Sequence, residues 1–224
     1  VRRPATLVVA ALTLLALSVG GTGVAVAGPV HNAAKPKISW DPIPFPAKRK
    51  RETRAYAIRH YGIHTFQLKK PKVIVEHYTE SSTWQSAFDT FAPDVADSEL
   101  GELPGICSHY IVDQHGVIHQ LVSIKTICRH TVGLNYTAIG VEHVGFSDGE
   151  VLRNKKEMAA SIKLTCYLRG HEHIALKNVI GHNESLGSPY HREKVARLKH
   201  QTHDDFKKAD MKKYRARIAA HCGK

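Results

Sequence analysis

The sequence has only four cysteines, Cys107, Cys128, Cys166 and Cys222, and none of them forms a Cys-x-x-Cys pair. That argues against a thiolate zinc centre or a dithiol redox motif. After the N-terminal apolar run, no stretch is long and apolar enough to cross a membrane. There is no internal repeat, which argues against an array of modules. Acidic residues are scarce: 20 Asp and Glu stand against 32 Lys and Arg, for a formal net charge of +12. A chain this basic is attracted to polyanions. In a cytoplasm that suggests nucleic acid; outside it, an anionic wall or membrane surface. A solvated basic surface that serves only solubility fits the same numbers.

Turning to what is present, Arg2 and Arg3 precede an apolar run over 6–19, and Ala25-Val26-Ala27 forms an A-x-A site before Gly28-Pro29. This is the pattern of a secretory signal peptide over 1–27, with an apolar core too short for a membrane span. Val1 in the place of Met reads as an alternative bacterial start codon. The remaining chain is therefore expected outside the cytoplasm, where disulfides form. Of the three possible pairings, Cys107 with Cys128 and Cys166 with Cys222 are expected. The first would tie loops flanking a hairpin, and the second would pin a C-terminal helix to an inner one. Residues 28–54, rich in Pro, Ala and Lys and ending in the basic run KRKRETR, read as a linker or mobile basic arm. Residues 55–224 then form the functional domain.

Hydrophobic periodicity organises that domain. Residues 73–78 predict a strand. Residues 83–91 predict a helix with Trp84, Phe88 and Phe91 on one side, as core rather than a sugar platform. Two β-rich runs, 108–112 and 117–122, flank the turn Asp113-Gln114-His115-Gly116 and predict a hairpin. A strand over 138–144, an amphipathic helix over 155–169, a short strand over 178–181 and a helix over 210–220 complete the pattern. This order predicts an α/β fold: a single domain with a central mixed β-sheet packed by helices.

Two strands end in histidine, VIVEHYT at His77 and NVIGHNE at His182. A lone histidine at a strand end is ordinarily a satisfied core residue. Two of them on neighbouring strands would make half a zinc site at the strand ends, lacking a third ligand and an open position for water. The segment Gln201-Thr202-His203-Asp204-Asp205-Phe206 offers that third ligand. Glu142, inside the apolar run IGVEHVG, is either a solvent-facing residue or a carboxylate buried beside the site. The H-x-H at His171 and His173 is not enough for a second metal. His109 reads as structural, and His115 and His119 as exposed on the hairpin.

Four stretches, VIVEHYT, CSHYIVDQHGVIHQLV, RHTVGLNYTAIGVEHVG and VIGHNES, occur in an order and spacing that resemble the zinc-dependent N-acetylmuramoyl-L-alanine amidases. That amidase-2 superfamily also contains the peptidoglycan recognition proteins. The resemblance runs from about residue 73 to 206. It implies Zn2+ as cofactor, His77 and His182 as ligands and Glu142 as the catalytic glutamate. Aligning the family's K-x-D with His203-Asp204-Asp205 makes Asp205 the third ligand and His203 the stand-in for a catalytic lysine. Aligning its T-x-C with Thr202-His203-Asp204 makes Asp204 the ligand instead. Asp205 is preferred, because a carboxylate then replaces a carboxylate and Phe206 takes over the packing of the absent Pro-Gly. His130 and Asn135 match positions beside the substrate groove, Asn135 being also a turn former. The implied activity is hydrolysis of the amide between N-acetylmuramic acid and the L-alanine of the stem peptide. The implied partners are peptidoglycan or muropeptides and the anionic cell-wall surface, not nucleic acid, for a secreted, wall-associated monomer. A non-catalytic peptidoglycan-binding module and a zinc peptidase acting within the stem peptide are the rival readings.

Overall fold

The computed structural model describes Val1 and residues 33–223; residues 2–32, with the rest of the expected signal peptide, and Lys224 lie outside the described residues. In chain order the main elements are β1 (Ser39–Trp40), α1 (Ala47–Tyr61), β2 (Val73–Tyr78), α2 (Trp84–Phe91), β3 (Tyr110–Val112), β4 (Ile118–Gln120), β5 (Ala138–His143), α3 (Asp148–Arg153), α4 (Lys155–Glu172), β6 (Val179–Gly181) and α5 (Lys208–Cys222). The strands form one mixed sheet ordered β1-β4-β3-β5-β2-β6, parallel except for the β3–β4 hairpin. This is the α/β architecture that the periodicity predicts.

The near-continuous aliphatic character of β2 and β5 has a direct cause. Both strands are buried in the middle of the sheet, and a parallel strand covered on both faces needs apolar residues at odd and even positions alike. Ile74, Ile139 and Val141 join the main core, with α1, α3, α4 and α5 packed against it. Phe91 of α2 packs with Ile111 and Leu121 in a second cluster. Each fully buried Ile or Leu of this kind contributes about 1.5–3 kcal/mol. Helix starts follow capping chemistry: the Thr83 side chain accepts from the Ser86 N–H, and Asn154 from those of Lys156 and Glu157. Both expected disulfides are formed, Cys107–Cys128 beside the hairpin and Cys166–Cys222 between α4 and the end of α5.

The expectation of a linker or mobile arm over 28–54 is corrected for its described part. Residues 39–40 add a parallel edge strand to β4, and 47–54 are the first half of α1. The inward face of α1 is Arg49, Thr53, Tyr56, Ala57, His60 and Tyr61. Half of those residues are polar, so the face has helical spacing without an apolar signal. Arg49 is fully buried, and its guanidinium donates to the carbonyls of Phe91, Gly105 and Ile106 at 3.0–3.1 Å. His119 is also corrected: it is buried, stacked on Trp84 at 3.9 Å and bonded through Nδ1 to Asp41 at 2.8 Å.

Arg49→Ala strands several buried carbonyls at once and is expected to lower stability by about 3 kcal/mol or more in urea denaturation. Arg51→Ala, on the exposed face of the same helix, should change it by less than about 0.5 kcal/mol.

Candidate metal centre

Alternation along β2 puts Val73, Val75 and His77 on one face of the sheet. In the parallel register His77 lies opposite Glu142 of β5, and Glu76 lies opposite Gly181 of β6. His182 follows Gly181 directly, so it falls on the His77 side. Glu142, His77 and His182 thus form a row across three neighbouring strands at their carboxyl ends, where open parallel sheets bind ligands.

A loop from the other side of β6 supplies the fourth member. A Cβ on Gly181 would lie 1.8 Å from the Phe206 carbonyl oxygen; only glycine lets the chain pass here. Phe206 is buried at φ +54°, and Asp148 accepts from the N–H groups of Phe206 and Lys207 at 2.7 and 2.8 Å. The Asn183 N–H donates to the Asp205 carbonyl at 3.0 Å. The carboxylate of Asp205 is thereby set between the imidazoles, Oδ2 2.9 Å from His77 Nδ1 and Oδ1 3.3 Å from His182 Nδ1.

The charges fit this crowding. Burial works to raise the Asp205 pKa, but the imidazoles of His182 and His77 beside it outweigh this and hold the carboxyl far below its usual range. Burial works to lower His77, yet the charges of Glu142 and Asp205 reverse the sign and raise it. His182 is pushed down to about 4 by burial. Glu142, only 7% exposed, is pushed up to about 7 by burial, with His77 opposing and Asp205 reinforcing. A solvent-facing Glu142 is therefore excluded.

His77, His182 and Asp205 each offer one ligand atom, all within 4.8 Å of one another. His182 Nε2 and Asp205 Oδ1 are buried without a hydrogen-bond partner, an arrangement that calls for an explanation. A cation answers it, and two imidazoles with one carboxylate are a zinc-type donor set. Asp204 does not join the group: its side chain is 83% exposed, and it accepts from the Asn183 amide.

The other expected residues gather around a cleft of about 770 Å3 over this group. His203 stacks on His182 at 4.7 Å between centroids, with Nε2 3.1 Å from Glu99. His130 sets Nδ1 3.2 Å from His77 Nε2. It lies flat over β5 because Gly140 has no side chain there; a Cβ would come within 2.8 Å of the ring. Asn135 is in the floor and fully buried. Its Oδ1 accepts from the His130 and Thr131 N–H groups, and its Nδ2 donates to the Tyr56 hydroxyl. It shapes the His130 loop and presents no accessible surface to a substrate. Sequence reasoning missed Thr131, whose hydroxyl lies 3.3 Å from His77 Nε2, and Asp148 and Glu99. Asp148, following Ser147, carries only the signal of a helix start.

A family model described as N-acetylmuramoyl-L-alanine amidase matches residues 67–221. Among solved structures, the chain is similar to the endolysin N-acetylmuramoyl-L-alanine amidase LysCS from Clostridium intestinale, at 19% identity and TM-score 0.43 over 63% of this chain and 79% of that one. It is similar to a mutant endolysin from Bacillus subtilis at 19% identity and TM-score 0.47, over 81% and 98% of the respective chains. The amidase AmiD from E. coli, solved with anhydro-N-acetylmuramic acid-L-Ala-D-gamma-Glu-L-Lys, shares 23% identity and TM-score 0.40 over 52% of this chain and 49% of its own. These identities and TM-scores are too low to assign any residue of this chain. No curated protein matches it in sequence.

The two aspartates separate experimentally. In zinc titration of metal-free protein, Asp204→Asn should leave affinity unchanged and Asp205→Asn should weaken it at least tenfold. Gly181→Ala, which forces the Phe206 backbone away, should weaken it by roughly 10–100-fold, as loss of ligand support does, with the far-ultraviolet circular dichroism retained.

Proposed function

Since the chain belongs to the N-acetylmuramoyl-L-alanine amidase family, we propose that it is a zinc-dependent hydrolase of the amide between N-acetylmuramic acid and the L-alanine of the stem peptide. The observation that supports this most directly is the row Glu142–His77–His182, closed by Asp205 at the base of the large cleft. A metal-assisted hydrolase needs a metal-type donor set and an adjacent base, and these residues offer both.

His77, His182 and Asp205 would hold the ion. Zinc in a three-ligand site lowers the pKa of water to about 7 and polarises a carbonyl. Glu142, buried beside His77, takes the proton from the attacking water and delivers it to the leaving L-alanine amine. His203 stands on the cleft side of His182 and donates to the oxygen of the scissile carbonyl as charge develops there. With Nε2–H on Glu99, Nδ1 can donate only in the doubly protonated imidazolium, which that carboxylate favours. His130 borders the same cleft and contacts the bound muramyl peptide. The products are the free lactyl carboxyl of the sugar and a peptide with a free L-alanine amine. Two disulfides suit action outside the cytoplasm, on the cell wall.

The test is cleavage of a soluble muramyl peptide, with products identified by mass spectrometry. Free peptide beginning at L-alanine is expected, lost with a zinc chelator and restored by added zinc. Glu142→Ala should lower kcat about 100- to 10,000-fold while bound zinc persists. Cleavage inside the peptide would make this a peptidase. Binding without cleavage, indifferent to chelator, would make it a recognition module.

A further inference from the structure

We propose that a second cavity, at the end of the sheet opposite the cleft, binds a linear phosphodiester polymer of the cell wall and so retains the enzyme there. This rests on the amidase reading for the location of the protein, and on the second cavity for everything else.

The cavity has a volume of about 370 Å3. It lies at the amino ends of β2 and β5, where the Lys72 N–H donates to the Thr137 carbonyl at 2.8 Å. Five residue steps of extended strand separate Lys72 from His77, about 16 Å. Three of the ten lining residues are lysines, Lys69, Lys70 and Lys72, and none is acidic. All three lysines are exposed. Ile63, Ile127, Tyr136 and Tyr190 supply apolar wall, and Tyr136 is fixed by donating its hydroxyl to the Tyr190 carbonyl at 2.8 Å.

The backbone that carries the lysines is strained. Lys70 sits at φ +51°, in the left-handed region that costs a non-glycine residue, and Pro71 after it has a locked φ. Such strain recurs at ligand sites. Further cations stand beside this wall: a Cβ on Gly62, the neighbour of Ile63, would be 3.3 Å from Lys194 Nζ and 4.0 Å from an Arg192 nitrogen.

The ligand class follows from this chemistry. Lysine meets a row of phosphates as a point charge without demanding a fork geometry. The apolar and tyrosine wall accommodates the carbon units that link them. The active-site cleft has a different character, with Glu80, Glu99 and Asp204 among its walls. Tethering at the far end leaves the cleft free for glycan and peptide.

Retention on insoluble cell walls tests this, using full-length protein in a Glu142→Ala background so that the wall is not digested. Walls bearing their phosphodiester polymers are compared with walls stripped of them. Combined Lys69→Gln, Lys70→Gln and Lys72→Gln should weaken retention on intact walls about tenfold. The slope of log affinity against log salt should fall by roughly two, as expected when three phosphate contacts are lost. A control with equal charge loss, Lys163→Gln, Lys208→Gln and Lys212→Gln, should change retention far less. Stripped walls should retain both forms equally weakly. With Glu142 restored, the lysine variant should cleave soluble muramyl peptide at the normal rate. Equal losses in the two triple variants would mean diffuse charge and overturn the proposal, as would undiminished retention on stripped walls. Failure of soluble substrate to be cleaved would sink the amidase reading and leave the retention result to be judged separately.

Discussion

The parallel register of β6, β2 and β5 is the constraint on which the site depends. Side chains in a sheet alternate with a period of two, so a slip of one residue would turn every side chain of a strand to the other face. Val73, Val75, Ala138 and Ile180 pack together with Leu134 on the site face, and a slip in any one of the three strands would break that cluster. The same residues that hold the strands in step therefore hold Glu142, His77 and His182 in line. Two glycines in these strands let other segments approach. Gly140 admits the His130 ring, and Gly181 admits the Phe206 backbone behind the sheet. Hydrophobic packing fixes the row, and missing side chains decide what closes over it.

This explains what could be read in the sequence. Strong aliphatic strands ending in histidine are legible, because the burial of a central strand and the position of its end both leave marks. The choice between Asp204 and Asp205 is not. The two are adjacent, chemically identical and in a loop, and what separates them is a contact between Phe206 and Gly181 that no local pattern records. Residues 47–54 mislead for a related reason. A helix face that buries Arg49, Thr53 and His60 resembles a solvated basic run until its partners are known, and those partners are carbonyls about forty to sixty residues away. Asn135 was legible as a turn residue and misleading as a substrate contact, because its match to a groove position does not reveal that its amide is turned inward.

The wall of the cleft has its own support. Residues 92–107 form a long connection without helix or strand, a length that ordinarily signals a functional or mobile loop. Here two guanidiniums brace it from within. Arg49 donates to carbonyls at both ends of the loop, and Arg129 donates to the Pro104 and Glu102 carbonyls and pairs with Asp97. Cys107–Cys128 closes its base. Glu99 rides on this wall and reaches His203. The first helix and the loop after β4 thus act on the site indirectly, through the position of one carboxylate.

Behind β2 lies a closed ring of hydrogen bonds. His143 Nδ1 is 2.8 Å from the His77 carbonyl, which only accepts, so Nδ1 carries the proton. Burial pushes the His143 pKa down to about 4, so the ring is neutral and Nε2 must accept from Ser161, 2.7 Å away. Ser161 Oγ lies 2.6 Å from the Tyr214 hydroxyl, which lies 2.9 Å from Thr165 Oγ1. Thr165 donates in turn to Glu76 Oε1 at 3.1 Å. Burial pushes the Glu76 pKa up to about 8, with hydrogen bonds from Thr165 and Tyr214 opposing it. The ring begins at His77 and ends at its neighbour, so α4 and α5 clamp from behind the sheet the backbone that carries a ligand.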